Sequence, residues 1–262
     1  MTAPAKIHST AIIDSRAEID PSVEIGPWCT VGPHVKIGKN TRLISHVVVD
    51  GWTTLGEENM VFPFATLGLV PQDLKYRGER TELTIGHRNS IRENVSIHLG
   101  TAQGGGFTRL GDDNLLMGYV HLGHDVLVGN HTVLANYVGL AGHAEVHDYA
   151  IVGGQSGLNQ FVRVGAHAYI GGQSAVERSV PPFCIAVGSR PMAIKGANIV
   201  GLRRRGYSAE IISKINEAIK LWVRPDVEKE RALLEIESQY GEIPDVASFV
   251  RFIRESDTGV TR

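Results

Sequence analysis

Three histidines and one aspartate near the middle of the chain have side chains that can do proton-transfer chemistry at neutral pH. His121 and His124 are three residues apart, Asp125 follows directly, and His143 comes 19 residues after His124. An imidazole titrates at about pH 6.5, so it can take up or release a proton in a reaction, and it is also a common metal ligand. Whether these residues form one site depends on the fold that carries them.

Every sixth residue along most of the chain is aliphatic. One ladder of such positions runs from Ile7 to Leu67, a second runs from Leu110 to Val176, and Ile85, Ile91 and Ile97 lie between them. A helix needs apolar residues about every 3.6 residues and a strand about every 2, so a period of six requires short strands broken by regular corners. The repeat therefore predicts a coiled parallel β-helix, in which each repeat buries its aliphatic side chain by stacking on the next.

The residues that flank each aliphatic position are also regular. The position two places before it is small, as in Cys29 and Ala144, and should fit a narrow interior. The position just after it is often glycine, as in Gly26 and Gly123, and we predict that these glycines adopt the corner conformations that other residues avoid. The hexad resembles the left-handed β-helix of the hexapeptide-repeat transferases. That resemblance implies three faces per turn, so that residues 18 apart stack about 4.8 Å from each other.

This stacking rule brings the histidines together. Leu122, Leu140 and Leu158 are 18 residues apart, so His121, His124, His143 and the segment 159–161 should lie on one face over three consecutive turns. Because corner side chains point outward, we expect neither His124 nor His143 in the core. No further carboxylate or thiol cluster completes a zinc ligand set here, so we predict no metal.

Two insertions interrupt the coil, near residues 69–82 and 99–109. Insertions in a solenoid are often functional. The second contains Gly104, Gly105 and Gly106, which are typical of either a flexible loop or a loop that approaches a ligand. Beyond Pro181-Pro182 the pattern becomes helical, with helices predicted from Ser208 as N-cap to a stop at Pro225, over 227–240 and over about 246–255.

The sequence thus predicts a mainly β protein. A left-handed parallel β-helix of hexapeptide repeats should occupy residues 1–190, followed by a small C-terminal α-helical domain over 191–262 that covers the open end of the coil and can supply ligand contacts. A formal net charge of −2 argues against a nucleic-acid binder. No apolar run reaches the roughly 20 residues of a membrane span, and we expect a cytoplasmic protein. Cys29 and Cys184 form no metal pattern, and Cys29 should be a buried thiol.

Several motifs together carry a closer resemblance. The chain resembles the UDP-N-acetylglucosamine 3-O-acyltransferase family over essentially its whole length, on the segments 71–76, 97–101, 114–117, 121–125, 140–143, 160–161, 180–182 and 201–206. This resemblance implies transfer of a 3-hydroxyacyl chain from acyl carrier protein to the sugar 3-hydroxyl, the first committed step of lipid A synthesis. It also implies a homotrimer with sites between subunits, and no cofactor beyond the phosphopantetheine of the carrier.

The resemblance further implies roles for single residues. It makes His124 the general base and Asp125 its partner, with the Gly142 backbone N–H as oxyanion donor. His143 completes that catalytic group and, with His121 and Gln160, orients the substrate. The substrate-binding set is His121, Gln160, Asn159, Gln72, Asp73, Lys75, Asn198, Arg204 and Arg205. Gly172 corresponds to the position that limits acyl length, and a glycine there implies an open groove and a long chain.

Three residues depart from the family pattern. Asn159 stands where a histidine is usual, Leu99 where an arginine is usual, and Val200 where a glutamate is often found. We expect all three near the sugar or the pantetheine, which leaves open an alternative substrate with an amine at C3. A non-catalytic scaffold and a zinc-dependent hydratase of the carbonic anhydrase type are the alternatives from other classes.

Overall fold

A computed structural model describes residues 6–262 and shows a left-handed parallel β-helix with three walls, followed by four helices. The first wall contains Lys6–Ile7, Glu24–Ile25, Arg42–Leu43, Met60–Val61, Ser90–Ile91, Leu115–Leu116, Val133–Leu134, Ile151–Val152, Tyr169–Ile170, Cys184–Val187 and Ala193–Ala197. The second contains Ile12–Ile13, Thr30–Val31, Val48–Val49, Thr66–Leu69, Ser96–His98, His121–Leu122, Gly139–Leu140, Gly157–Leu158 and Ala175–Val176. The third contains Glu18–Ile19, Lys36–Ile37, Trp52–Leu55, Glu82–Ile85, Phe107–Leu110, Leu127–Val128, Glu145–Val146 and Arg163–Val164. The first edge joins the first and second walls, the second edge joins the second and third, and the third edge joins the third and first.

The register of the walls confirms the prediction of three hexads per turn. On the second wall, Leu122 pairs with Leu140 and Leu140 with Leu158, each 18 residues apart. The aliphatic ladder lies inside, where these three leucines are 0–3 % exposed. The small positions also face inward: Cys29, a free thiol, and Ala144 are fully buried. Burial of one such aliphatic side chain stabilises the fold by about 1.5–3 kcal/mol, so every turn contributes to the stability of the coil.

The prediction for the glycines after the aliphatic positions was wrong. Gly26 and Gly123 do not have a positive φ; the corner residue with a positive φ is the one three places after the aliphatic position, such as Asp125 at 60° and His143 at 63°. The glycines are needed for a different reason. A Cβ on Gly123 would stand 3.0 Å from the carbonyl oxygen of Leu140 in the next turn, and one on Gly26 would overlap a carbonyl oxygen of its next turn. Close stacking of successive corners, rather than backbone conformation, therefore selects glycine.

Both insertions leave the coil at the second edge. The first occupies residues 70–81 and the second residues 99–106, which is shorter than predicted because Phe107–Leu110 already pairs with Glu82–Ile85. A 3₁₀ turn at Ala102–Gly104 lies within the second insertion. Each insertion lengthens a turn without disturbing the register, since pairing simply resumes at Met60 with Ser90 and at Ser96 with His121. The coil therefore presents two consecutive loops next to the turn that carries His124.

The C-terminal helices are α1 (Ile199–Arg204), α2 (Ala209–Trp222), α3 (Lys229–Tyr240) and α4 (Pro244–Arg254). Ser208 caps α2 as predicted, by accepting a hydrogen bond from the Ile211 N–H at 3.2 Å. Helix α4 begins earlier than predicted, at Pro244, a residue favoured in the first helical turn. Helix α1 was not predicted, because six residues are too few to show a helical period. Helix α2 packs on Ala193–Ala197, the antiparallel strand that closes the first wall.

Candidate active site

The predicted neighbours meet on the second edge. His124 and Asp125 occupy one corner of this edge and His143 the corner of the next turn, and the imidazole centroids of the two histidines are 5.2 Å apart in an edge-to-face arrangement. The ring of His143 stacks on Phe161 of the following turn, with centroids 4.4 Å apart and planes 7° from parallel. Because one face of His143 is covered by Phe161, the ring cannot tilt freely. The sequence prediction that these histidines are neighbours outside the core is confirmed.

A short hydrogen bond joins His124 to Asp125. The His124 Nδ1 lies 2.7 Å from the Asp125 Oδ2, and the two side chains are 12 % and 1 % exposed. An ionised carboxylate has no proton to donate, so the Nδ1 must carry the proton and the Nε2 keeps a free lone pair. His143 places its Nε2 3.8 Å from the same carboxylate oxygen. Burial lowers the pKa of His143, while the Asp125 charge raises it, with burial as the larger effect.

Gly142 lies directly against the His124 ring. A Cβ on this residue would stand 2.6 Å from the His124 Nε2 and 3.0 Å from its Nδ1, so no other amino acid leaves the imidazole in place. Its backbone N–H has no hydrogen-bonding partner among the described residues. The same repeat position is proline elsewhere, because its N–H is not needed by the coil: Pro21, Pro27, Pro33 and Pro63. The Gly142 N–H is therefore free to bind a ligand beside the Nε2 of His124.

A second pair of histidines lies on the outer side of the second wall. His121 forms a 2.8 Å hydrogen bond between its Nδ1 and the Ser96 hydroxyl, and its ring packs edge to face against His98 at 4.9 Å. Burial lowers the pKa of His121 and lowers that of His98 to about 4, so both are neutral at pH 7. His98 is 6 % exposed and its Nδ1 has no partner within the described chain. Sequence reasoning gave His98 no role, although the motif Ile97-His98 was visible.

The first insertion reaches the same corner. Asp73 and Lys75 lie close enough to His143 for their charges to act on its pKa in opposite directions. The Asp73 carboxylate accepts a hydrogen bond from the Lys75 backbone N–H at 2.8 Å, which shapes the loop. Gln72 and Lys75 are exposed. The insertion therefore presents a carboxylate and an ammonium group near His143.

Other residues of the predicted binding set lie elsewhere on the same chain. Arg205 stacks on Tyr149, at 4.6 Å from the ring centroid, on the third edge. Arg204 is exposed on α1, whereas both ends of the Asn198 amide are occupied, by the Gly201 N–H at 3.1 Å and by the His167 carbonyl at 2.9 Å. One chain thus keeps these arginines apart from His124.

The positions of the remaining predicted residues differ as well. Asn159 and Gln160 are exposed on the second edge, one turn beyond His143, and Gly172 is exposed on the first edge. Leu99 was expected near the substrate, and this stays a prediction. Its side chain is 5 % exposed and packs beside Gly51, because the chain turns inward where the second insertion begins. Val200 is 58 % exposed on α1, away from the second edge.

The spacing of these side chains is also compatible with a metal ion, since His124, Asp125 and His143 offer ligand atoms within 4.8 Å of one another. Both oxygens of the Asp125 carboxylate already accept hydrogen bonds, however. Its Oδ1 accepts the Thr101 N–H at 2.8 Å, and its Oδ2 accepts both the Thr101 hydroxyl at 2.6 Å and the His124 Nδ1–H. A zinc ion would have to displace these hydrogen bonds, so this donor set favours a proton-transfer pair over a metal centre.

Comparison with known proteins assigns this arrangement to a family. Residues 180–261 match the model described as UDP N-acetylglucosamine O-acyltransferase, domain 2, and residues 4–39 match the bacterial transferase hexapeptide model. An acyl-(acyl-carrier-protein)–UDP-N-acetylglucosamine O-acyltransferase of Thermodesulfovibrio yellowstonii is 45 % identical over 257 residues, 98 % of this chain and 99 % of the relative. One from Anaeromyxobacter is 45 % identical over 212 residues, 81 % of this chain and 82 % of the relative. The structure of LpxA from Acinetobacter baumannii superposes with a TM-score of 0.95 at 44 % identity, covering 98 % of this chain and all of that one.

Within residues 6–262, no helix combines the length and the apolarity needed to cross a membrane.

Proposed function

The chain belongs to the UDP-N-acetylglucosamine O-acyltransferase family, and we propose how the residues of its second edge carry out the reaction. The enzyme transfers an acyl chain from acyl carrier protein to UDP-N-acetylglucosamine, the first step of lipid A synthesis. The proposal rests above all on the 2.7 Å hydrogen bond between His124 and Asp125, which leaves the Nε2 of a mostly buried imidazole free to accept a proton.

His124 acts as the general base. As the sugar 3-hydroxyl oxygen attacks the thioester carbonyl carbon, the Nε2 takes its proton and a C–O bond forms. Asp125 stabilises the resulting imidazolium through the Nδ1–H. The carbonyl oxygen becomes an oxyanion and accepts a hydrogen bond from the Gly142 N–H; loss of one such donor costs about 3 kcal/mol in a well-studied protease. The C–S bond then breaks, and the imidazolium returns the proton to the pantetheine sulfur.

The substrate is oriented by the groups around this pair. His121, His143 and Gln160 contact the sugar and the acyl group, with Asn159 beside them, while Gln72, Asp73 and Lys75 of the first insertion bind the nucleotide. His121 and His143 suit this role because burial lowers the pKa of each, so that they hydrogen-bond as neutral imidazoles. The reaction needs no cofactor beyond the pantetheine of the carrier protein, and we place it in the cytoplasm.

The active form is a homotrimer with sites between subunits. The separation of Arg204 and Arg205 from His124 within one chain supports this, because a neighbouring subunit can bring its own arginines and Asn198 to the second edge. The first insertion also exposes large apolar side chains, with Leu74 95 % and Val70 63 % exposed, as expected for residues that pack on another subunit. Arginine suits the bidentate phosphate contacts of a UDP-sugar.

Subunit sharing can be tested by complementation. Chains with His124→Ala and chains with both Arg204→Ala and Arg205→Ala should each be inactive alone, whereas co-expressed chains should regain activity in mixed trimers. Light scattering coupled to gel filtration gives the mass of each preparation. A monomer with full activity, or mixed trimers without any regained activity, would contradict a shared site.

The acyl chain follows the outer side of the second wall. Next to His121 on this wall stand Gly139 and Gly157, and a Cβ at either would meet nothing within 4 Å. These two glycines leave a strip of the wall without side chains, and this strip leads from His121 toward Gly172. Gly172 lies three turns, or about 14 Å, from His121 along the coil. A Cβ on Gly172 would contact only backbone atoms of Gly154, at 3.2 and 3.7 Å, so the groove is open there and admits a long hydroxyacyl chain.

Thiol release from hydroxyacyl carrier protein in the presence of UDP-N-acetylglucosamine tests the whole proposal. We expect His124→Ala to remain a folded trimer with turnover lowered at least about a hundredfold. Near-normal turnover would remove His124 from the role of base. Competition with the 3-amino analogue of the sugar should favour the hydroxyl substrate, and elemental analysis should find no stoichiometric zinc.

A further inference from the structure

The second insertion folds over the buried side of the catalytic pair. Thr101, at its start, contacts the Asp125 carboxylate twice: its backbone N–H donates to the Oδ1 at 2.8 Å and its hydroxyl donates to the Oδ2 at 2.6 Å. The same hydroxyl oxygen accepts the Gly104 N–H at 3.1 Å, so its proton is left for the carboxylate. Thr101 is 1 % exposed, so its side chain is closed off from solvent.

The glycines of this insertion have a structural explanation. A Cβ on Gly104 would overlap the Asp125 carboxylate group, so only glycine allows the turn to press against it. Gly105 and Gly106 have φ values of 100° and 88°, a backbone conformation that favours glycine. The turn between Thr101 and Gly105 is a 3₁₀ helix whose N-cap is Thr101. The shape of the insertion therefore matches the position of one carboxylate.

Asp125 needs such support, because a buried carboxylate is unfavourable unless its oxygens are hydrogen-bonded. Its backbone N–H donates to the Thr108 hydroxyl at 2.8 Å, which holds the main chain, while the side chain is held by Thr101 and by His124. The Oδ2 accepts from the Thr101 hydroxyl and from the His124 Nδ1–H together. Any rotation of the carboxylate away from Thr101 would also break its bond to the imidazole.

We propose that Thr101 is a positioning residue for the general base, acting through Asp125, and that the second insertion serves to hold this carboxylate in place. The inference rests on the proposed function, since it assigns Thr101 a part in the work of His124. It accounts for a glycine-rich loop at this point in the coil without requiring the loop to bind a substrate. It also gives a catalytic effect to a hydroxyl that never meets the reacting atoms.

Threonine-to-valine exchange tests this while preserving shape. Thr101→Val removes the hydroxyl and keeps the backbone N–H contact, and Thr101→Ser restores the donor. Thr132→Val is the matched control, because Thr132 is also fully buried and donates a 2.8 Å hydrogen bond to the Asn114 side chain, at the third edge rather than the second. We expect Thr101→Val to lower kcat roughly ten- to a hundredfold with the KM for UDP-N-acetylglucosamine nearly unchanged. Thr101→Ser should recover most of the activity, and Thr132→Val should lower the Tm alone.

Gly104→Ala, with Gln103→Ala as its control in the same turn, provides a second test. The added methyl displaces the carboxylate, so kcat should fall in Gly104→Ala and stay normal in Gln103→Ala. A Thr101→Val enzyme with wild-type kcat, or one that loses activity only as much as Thr132→Val at equal loss of Tm, would overturn the inference. Because His124→Ala is assayed in parallel, the two proposals can fail separately: an active His124→Ala enzyme rejects the mechanism, whereas an inactive one beside an unaffected Thr101→Val rejects the role of Thr101.

Discussion

The contact between Gly142 and His124 permits the sharpest prediction. Replacing Gly142 with alanine adds a single methyl group at 2.4 Å from the His124 Cε1 and 2.6 Å from its Nε2, where ordinary contact begins at 3.4 Å. The imidazole must therefore retreat by about 1.0 Å, the difference between 3.4 Å and the shorter of these distances. Its Nδ1 is tied to Asp125 at 2.7 Å, so the ring swings away from the position that the sugar hydroxyl requires.

The size of the effect follows from this displacement. A misplacement of about 1 Å at a reacting group costs on the order of a hundredfold in rate, so we expect kcat of Gly142→Ala to fall by roughly that factor. Thiol release at saturating substrates measures kcat directly. The backbone N–H remains in the variant, so the loss reports on the position of the proposed base, His124, rather than on removal of the proposed oxyanion donor.

Gly118→Ala is the control for this experiment. Gly118 occupies the same repeat position, two places after an aliphatic residue, and a Cβ there would meet the movable amide of Asn136 at 3.2 Å. This control should keep wild-type kcat and a similar Tm. If Gly142→Ala retained kcat within about threefold of wild type while remaining folded, the His124 ring would not need the position described, and the argument from geometry would be refuted.

Three further predictions concern the neighbouring groups. Lys75→Ala should raise the KM for the nucleotide more than it lowers kcat, because it removes an exposed cation beside the site. An unchanged KM would show that Lys75 of the first insertion does not bind the nucleotide. Wild-type enzyme should prefer hydroxymyristoyl over hydroxydecanoyl carrier protein, and Gly172→Met should reverse that order; a shorter-chain preference in the wild type would argue against an open groove. Burial lowers the pKa of His98 to about 4, so the unfolded chain takes up a proton below about pH 6.5 that the folded chain resists. The Tm should therefore fall between pH 6.5 and pH 4, and fall less in His98→Gln; equal slopes in both proteins would contradict this reading of His98.

The sequence was sufficient to predict the fold and to predict that His124 and His143 are neighbours. The period of six predicts a coiled β-helix, and the resemblance to the hexapeptide-repeat transferases implies three faces per turn. The resulting 18-residue turn then places any two residues relative to each other by arithmetic. The small positions of the hexad correctly assigned Cys29 and Ala144 to the interior. It held because the coil is set by local repeats, and each insertion returns the chain to its register.

The hexad repeat could not predict features that depend on contact between a loop and the coil. The sequence does not show that Thr101 meets Asp125, because the path of an insertion has no period. It suggested two interpretations for the triple glycine, and neither included packing against a carboxylate. The burial of Leu99 could not be predicted for the same reason, since the direction of its side chain is decided where the loop leaves the second wall. Helix α1 was missed because its main signal was a single cap, Asn198.

The stacking of one turn on another also restricts how the acyl preference of such an enzyme can change. On the proposed path of the acyl chain, the corner positions Gly154 and Gly172 are one turn apart, so a blocking side chain can be moved along that path only in increments of about 4.8 Å. Relocating the block from one turn to its neighbour is a coarse adjustment that spans several carbons at once. Smaller changes in the preferred chain length must come from the size of the side chain at a given turn. Chain-length selectivity in a coiled scaffold therefore depends on two variables, the turn that carries the blocking residue and the size of that residue.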